Sequence, residues 1–177
     1  MEEKIFKDID FTGFWDDDPF YKEEYEEEIP GAEEISAIEN LLGYKLPPAY
    51  IELMQERNGG APVKNCYPTS EPTSWAEDHI AITGIFGIGQ QKPSTLYGDC
   101  GSTFWIEEWG YPAHGVYIAD CPSAGHDMIL LDYSACGPQG EPVVVHVDQE
   151  NNYKKTFLAN NFETFVRGLR ENSFYND

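Results

Sequence analysis

From residue 80 to residue 147 the chain alternates short apolar segments with breaks rich in glycine and proline, and on both sides of this stretch the apolar residues fall at helical spacing instead. The strand-like segments are Ile80 to Phe86, Gly115 to Ala119, Met128 to Tyr133 and Val143 to Val147. Val143-Val144-Val145 is the strongest, because β-branched side chains suit a pleated backbone better than a helix. A sheet made from such strands has an apolar face that something must cover. The flanks supply candidates. Ile35, Ile38, Leu41 and Leu42 form one helical stripe, with Pro30 at the first position, where a missing N–H costs nothing, and Gly43 as the stop. A second short helix follows Pro47-Pro48, with Tyr50, Ile51, Leu53 and Met54 on its apolar side and Asn58-Gly59-Gly60 ending it. A third runs from about Asn161 to Arg170, capped by Asn160 or Asn161, with Phe162, Phe165, Val166 and Leu169 as its buried stripe. Residues 61–78 read as a long loop, and residues 102–109 fit a helix or a strand. Helices at both ends with strands between them give an α+β fold. A length of 177 residues points to a single domain, and a chain of that size buries roughly 70% of its unfolded surface.

The charge narrows the choice of function. The chain carries 11 Lys and Arg against 32 Asp and Glu, a net of −21. Such a chain repels phosphate backbones and anionic lipid headgroups, which argues against nucleic acid and membrane surfaces as partners. A basic protein is a permitted partner, and a merely solvated acidic face accounts for the same number. The acids are unevenly placed: residues 1–34 hold 14 of them with three lysines. Phe11, Phe14, Trp15, Phe20, Tyr21 and Tyr25 are interleaved with these acids. Aromatic rings bury large areas, so residues 1–28 read as an acidic, aromatic arm that docks on the body formed by residues 29–177. No segment has the roughly 18 consecutive apolar residues of a membrane span. The start, Met1-Glu2-Glu3-Lys4, lacks the basic-then-apolar order of a signal peptide. A cytoplasmic protein is the expectation.

Catalytic and metal motifs are weak. Cys66, Cys100, Cys121 and Cys136 include no C-x-x-C pair and are expected as free thiols. His79, His114, His126 and His146 lack the i, i+4 spacing of a metal-binding helix. A site assembled across the fold from His126, Asp120, Asp132 and a cysteine is the remaining metal possibility, and the expectation is no cofactor and no metal. His126 with Asp127 is an awkward acid–base pair, because neighbouring strand residues point to opposite faces. A turn with His126 bonded to backbone is the competing reading. Gly84-Ile85-Phe86-Gly87-Ile88-Gly89 has the wrong glycine order for a dinucleotide loop and reads as a strand ending in a turn.

The segment Trp105-Ile106-Glu107-Glu108-Trp109-Gly110-Tyr111-Pro112 brackets two carboxylates with three large aromatics. Trp105, Trp109 and Tyr111 are the residue types that anchor interfaces, and Glu107 and Glu108 suit an Arg or Lys of a partner. The alternative is a short helix with both tryptophans packed inward and both glutamates in water.

The order Ile29-Pro30-Gly31-Ala32-Glu33-Glu34-Ile35, Ile38-Glu39, Leu42-Gly43-Tyr44-Lys45-Leu46-Pro47, Tyr50-Ile51 and Asn58-Gly59-Gly60 resembles the N-terminal signature of the SUKH superfamily. This is the Smi/Knr type, named after a yeast regulator of cell-wall glucan synthesis. Pro122 to Asp127, the Leu131-Asp132-Tyr133 strand and the Phe-rich last helix are also similar. The resemblance implies a mostly antiparallel central sheet with N- and C-terminal helices packed on it. It implies a non-enzymatic role, since the family has no shared catalytic motif. Bacterial relatives are regarded as immunity proteins that block toxin domains, often nucleases, and fungal ones as regulators of cell-wall synthesis and signalling. The expected function is therefore binding of a toxin domain. A regulatory module, a small-molecule sensor and a hydrolase using His126 with a cysteine remain as alternatives.

Overall fold

The computed structural model describes residues 3–175; Met1 and Glu2 of the acidic start, and Asn176 and Asp177, fall outside it. Its main sheet has five strands in the order β3 (Gly84–Ile85), β4 (Gly115–Asp120), β5 (Asp127–Asp132), β6 (Val143–Asp148) and β7 (Lys154–Ala159). Every neighbouring pair is antiparallel, so the sheet is a meander. Met128 to Leu131 and Val144 to Val147 are buried without alternation, which requires cover on both faces. Helix α5 (Phe162–Arg167) packs on β6 and β7, α4 (Ser102–Trp109) on β4, and α1 (Pro19–Tyr25) on β3. Helix α3 (Pro48–Glu56) packs against α5, and α2 (Ala32–Leu42) joins the same core through Ile35 and Ile38. Among the described residues no helix is long and apolar enough to cross a membrane.

Several local readings need adjustment. Helix α2 begins at Ala32, with Gly31 as its cap and the Glu34 carboxylate accepting the Gly31 N–H at 3.1 Å; Pro30 lies just outside. Asn161, not Asn160, caps α5, its side chain accepting the Thr164 N–H at 2.8 Å. Residues 102–109 are helical. The stretch 61–78 is not all loop: Cys66–Pro68 forms β1 and pairs with β2 (His79–Ala81). Tyr67 of β1 stacks on Phe165 with ring centroids 5.0 Å apart. That contact is non-local, and nothing within the segment signals it. Strand β7 opens with two lysines, because it is an edge strand whose side chains alternate between core and solvent.

The acidic arm is tied to the body along its length. Glu52 on α3 accepts the N–H groups of Ile5 and Phe6 at 2.8 and 2.7 Å. Arg167 on α5 donates to both Asp8 oxygens and to the Ile5 carbonyl while lying over the Phe6 ring. Trp15 and Tyr25 are buried in the common core. The Tyr25 hydroxyl donates to Asp120 at the end of β4, 2.7 Å from one carboxylate oxygen and 2.9 Å from the other. Burial pushes the Asp120 carboxyl up to about 6, against the hydrogen bond from Tyr25, which acts to lower it.

Asn58 is the knot of this arrangement. It is wholly buried. Its amide donates to the carbonyls of Glu28 and Ile88 at 2.8 and 2.9 Å, and its carbonyl oxygen accepts the Ile88 N–H at 2.7 Å. One side chain thus joins the arm, the end of α3 and the segment after β3. Gly59 follows with φ +101, and a Cβ there would lie 2.2 Å from the Tyr25 carbonyl, so the close approach of arm and body requires glycine.

Candidate functional site

Helix α4 shows where the aromatic–acidic segment goes. Glu107 and Glu108 are exposed, while Trp105 and Trp109 are half-buried and lean on each other at 5.2 Å. The Trp105 indole N–H donates to the Cys100 carbonyl at 2.9 Å. Both rings press on Gly125, whose φ is +95; a Cβ there would sit 2.7 Å from Trp105 and 2.9 Å from Trp109. Tyr111 is 2% exposed and donates to the Gly125 carbonyl at 2.6 Å. It braces the turn after β4 from inside and offers a partner no surface. Of the five residues singled out in this segment, only Glu107 and Glu108 present themselves fully to solvent.

A concave surface occurs elsewhere. A groove of about 640 Å³ runs between the end of the arm, α2 and the turn at residues 88–92. Ile38 and Ala37 of α2, with Ile88, give it an apolar floor, and Glu26, Glu28 and Glu34 stand around it. Ile29 in the same wall is 57% exposed, and Leu41, one turn along from Ile38 on the same helix face, is 48% exposed. The Glu27 carboxylate holds the far wall by accepting the N–H groups of Gln91 and Lys92 at 2.8 and 2.7 Å. Among the described residues Lys92 is the only basic one lining the groove. Six Lys and Arg side chains among the described residues lie within 4.0 Å of an acid elsewhere on the surface. The field near the groove is set by carboxylates.

A third feature is enclosed. The Asp127 carboxylate lies 2.7 Å from His146 Nε2, and both side chains are buried. Cys121 Sγ completes a group whose ligand atoms all lie within 4.8 Å of one another; among the described residues no other His, Cys, Asp or Glu trio does this. Burial pushes the Cys121 thiol well above its usual range, with Asp127 and Asp120 adding to the effect. A covered, protonated thiol cannot meet a substrate. The other cross-fold combination, His126 with Asp120, Asp132 and a cysteine, is not brought together. His126 faces outward to Gln149 and Glu150 at 3.1 and 2.6 Å, so its ring bonds side chains and not backbone. Asp132 is paired with Lys155 at 2.9 Å. Glycines 84, 87 and 89 make a strand end and a turn, with no helix after them.

The family model described as SMI1-KNR4 cell-wall, of the SUKH type, matches residues 32–166. The chain belongs to the SMI1-KNR4 family. A comparison with curated proteins gave no match. The matched region contains the sheet, helices α2 to α4 and most of α5, and it leaves out the acidic arm. The groove therefore has one wall from the SMI1-KNR4 domain, with Glu34, Ile38 and Ile88, and one from outside the match, with Glu26, Glu28 and Ile29. Charge clustering in residues 23–28 marked the arm in the sequence, but the groove exists only because the arm docks beside α2.

Proposed function

We infer that this chain is a non-enzymatic binding module that neutralises a toxin domain by occluding a basic surface on it, with a nuclease cleft as the favoured target. Membership of the SMI1-KNR4 family supports the class of function. The observation that carries the specific reading is the groove between arm and α2: an apolar floor inside a rim of Glu26, Glu28 and Glu34. A nuclease cleft is rich in Lys and Arg with apolar stems, and such side chains fill a groove of this kind while their charges meet the rim. The net charge of −21 speeds the encounter. The enclosure of the Cys121–Asp127–His146 group is consistent with a role that involves no catalysis. A regulatory interaction in cell-wall synthesis is the second reading, favoured by the family's description.

The test is co-expression with toxin domains encoded beside the chain, followed by binding kinetics with any toxin it protects against. Protection and a stable complex are expected. The double variant Glu28→Lys/Glu34→Lys should slow association and speed dissociation, because it alters the contact itself. Glu107→Lys/Glu108→Lys should slow association alone, by weakening the long-range field. Association that is indifferent to salt between about 0.01 and 1 M, where the Debye length falls from ~30 to ~3 Å, would overturn the electrostatic mechanism.

A further inference from the structure

The enclosed group at the β4–β5 turn has features that a hydrogen-bonded core does not explain. Strand β4 ends at Asp120, Cys121 follows, and the turn through Ala124 (φ 58) and Gly125 (φ 95) folds the chain back so that β5 begins at Asp127. In the β5–β6 register Asp127 stands opposite Asp148, and His146, two residues along, shares the face of Asp148. Two carboxylates, a thiol and an imidazole are thereby gathered where water is excluded: Cys121 is 3% exposed, Asp127 and Asp148 2% each, and His146 0%. Two polar atoms of the set, His146 Nδ1 and Asp148 Oδ1, have no hydrogen-bond partner among the described residues. Buried groups of this kind are normally satisfied, and unpaired ones are costly.

We propose that Cys121, Asp127 and His146 form a structural zinc site. Thiolate, imidazole and carboxylate are the three donor types that zinc accepts, at about 2.3, 2.0–2.1 and 2.0–2.2 Å. A tetrahedron with those bond lengths places its donor atoms about 3.3–3.8 Å apart. In the present spacing the Asp127–His146 pair, at 2.7 Å, would open by about half an ångström, and the sulfur, in a trio whose atoms lie within 4.8 Å of one another, would close by up to about 1 Å. Asp148, opposite Asp127 on the same face, lies outside the trio's 4.8 Å spacing, and the fourth position would fall to a solvent molecule. The cation would also set positive charge beside the enclosed carboxylates. Binding breaks the Cys121 S–H bond: the sulfur lone pair goes to the metal and the proton leaves to solvent, one proton per zinc from this residue. Zinc would pin the β4–β5 turn to β6, and with it Gly125, on which Trp105 and Trp109 rest. The inference is independent of partner binding.

The test uses the whole chain, purified without an affinity tag from zinc-supplemented medium. About one zinc per chain is expected, and its removal by a strong chelator should lower the melting temperature. Replacing zinc with Co²⁺ should give visible bands of tetrahedral cobalt and a near-ultraviolet sulfur-to-cobalt charge-transfer band. Cys121→Ser should abolish the charge-transfer band. Cys66→Ser, Cys100→Ser and Cys136→Ser, taken singly, should keep it, and these three decide the assignment even where Cys121→Ser does not fold. Folded protein with no stoichiometric metal and no cobalt–thiolate band, or a band that Cys121→Ser retains, would overturn the proposal and leave the cluster as a hydrogen-bonded core network.

Discussion

Removing the Asn58 side chain should unfasten the arm from the body at a cost that can be worked out bond by bond. Asn58→Ala deletes two donated bonds and one accepted bond in a place with no solvent exposure. Each is worth about 1 kcal/mol net, and a buried group left unsatisfied costs about 1–3 kcal/mol. With the carbonyls of Glu28 and Ile88 and the Ile88 N–H all left behind, the expected loss is about 3–5 kcal/mol. For 177 residues the unfolding entropy is about 0.4 kcal/mol per kelvin near the midpoint. The melting temperature should therefore fall by about 8–13 °C, read by calorimetry or circular dichroism. Hydrogen exchange should show the Ile88 amide accelerated beyond the global change.

Asn58→Asp sharpens the test. A carboxylate keeps the bond from the Ile88 N–H but turns a second oxygen toward two carbonyls that need a donor. At neutral pH it should be at least as damaging as alanine. The protonated acid can donate once, so the native state favours it and the pKa in the folded chain lies above the unfolded value near 3.9. The folded state then binds more protons than the unfolded one, and stability must rise as pH falls toward that range. Asn58→Ala gives no such difference. A loss below about 1 kcal/mol for alanine, or an aspartate variant with no acid recovery relative to alanine, would refute the role assigned to this side chain.

Phe165→Ala, which empties a fully buried site stacked on Tyr67, should cost about 3–5 kcal/mol, whereas Phe157→Ala on the exposed side of β7 should change stability by less than about 0.5 kcal/mol; equal thermal shifts would contradict the packing of α5. Tyr25→Phe removes the hydroxyl that donates to Asp120 and should cost about 1–3 kcal/mol in urea unfolding, with no change expected only if water replaces the donor. Burial acts to raise the Asp132 carboxyl, but hydrogen bonds from Ser134 and Lys155 outweigh it and hold the group below its ordinary value of 3.8. The stability this gives is present above 3.8 and lost as pH falls through the folded-state value, so Asp132→Asn should flatten the acid limb of the stability profile by up to about 1 kcal/mol; an unchanged limb would count against it.

Local pattern was enough for elements whose signal lies inside the segment. The valine run of β6, the aromatic stripe of α5 and the Gly43 stop of α2 are legible because pleat, helical period and left-handed backbone each act over a few residues. Strand β1 was not legible, because its register depends on Tyr67 meeting Phe165 from the far end of the chain. Asn58 reads as a turn residue for the same reason: its three partners lie 30 residues away on either side. The groove combines both cases, since the acids of residues 26–28 and helix α2 are each plain in the sequence, and their docking side by side is not. The enclosed cluster differs, because a signal for it was present. Strands β5 and β6 are apolar except at Asp127, Asp132, His146 and Asp148. Pairing the two strands through the glycine- and proline-bearing loop between them sets Asp127 against Asp148 and places His146 on the same face. A polar residue at a buried position of an apolar strand has to be satisfied by something. Two of them, Asp127 and His146, converging from neighbouring strands with Cys121 just past the end of a third, point to a single shared ligand more economically than to separate hydrogen bonds.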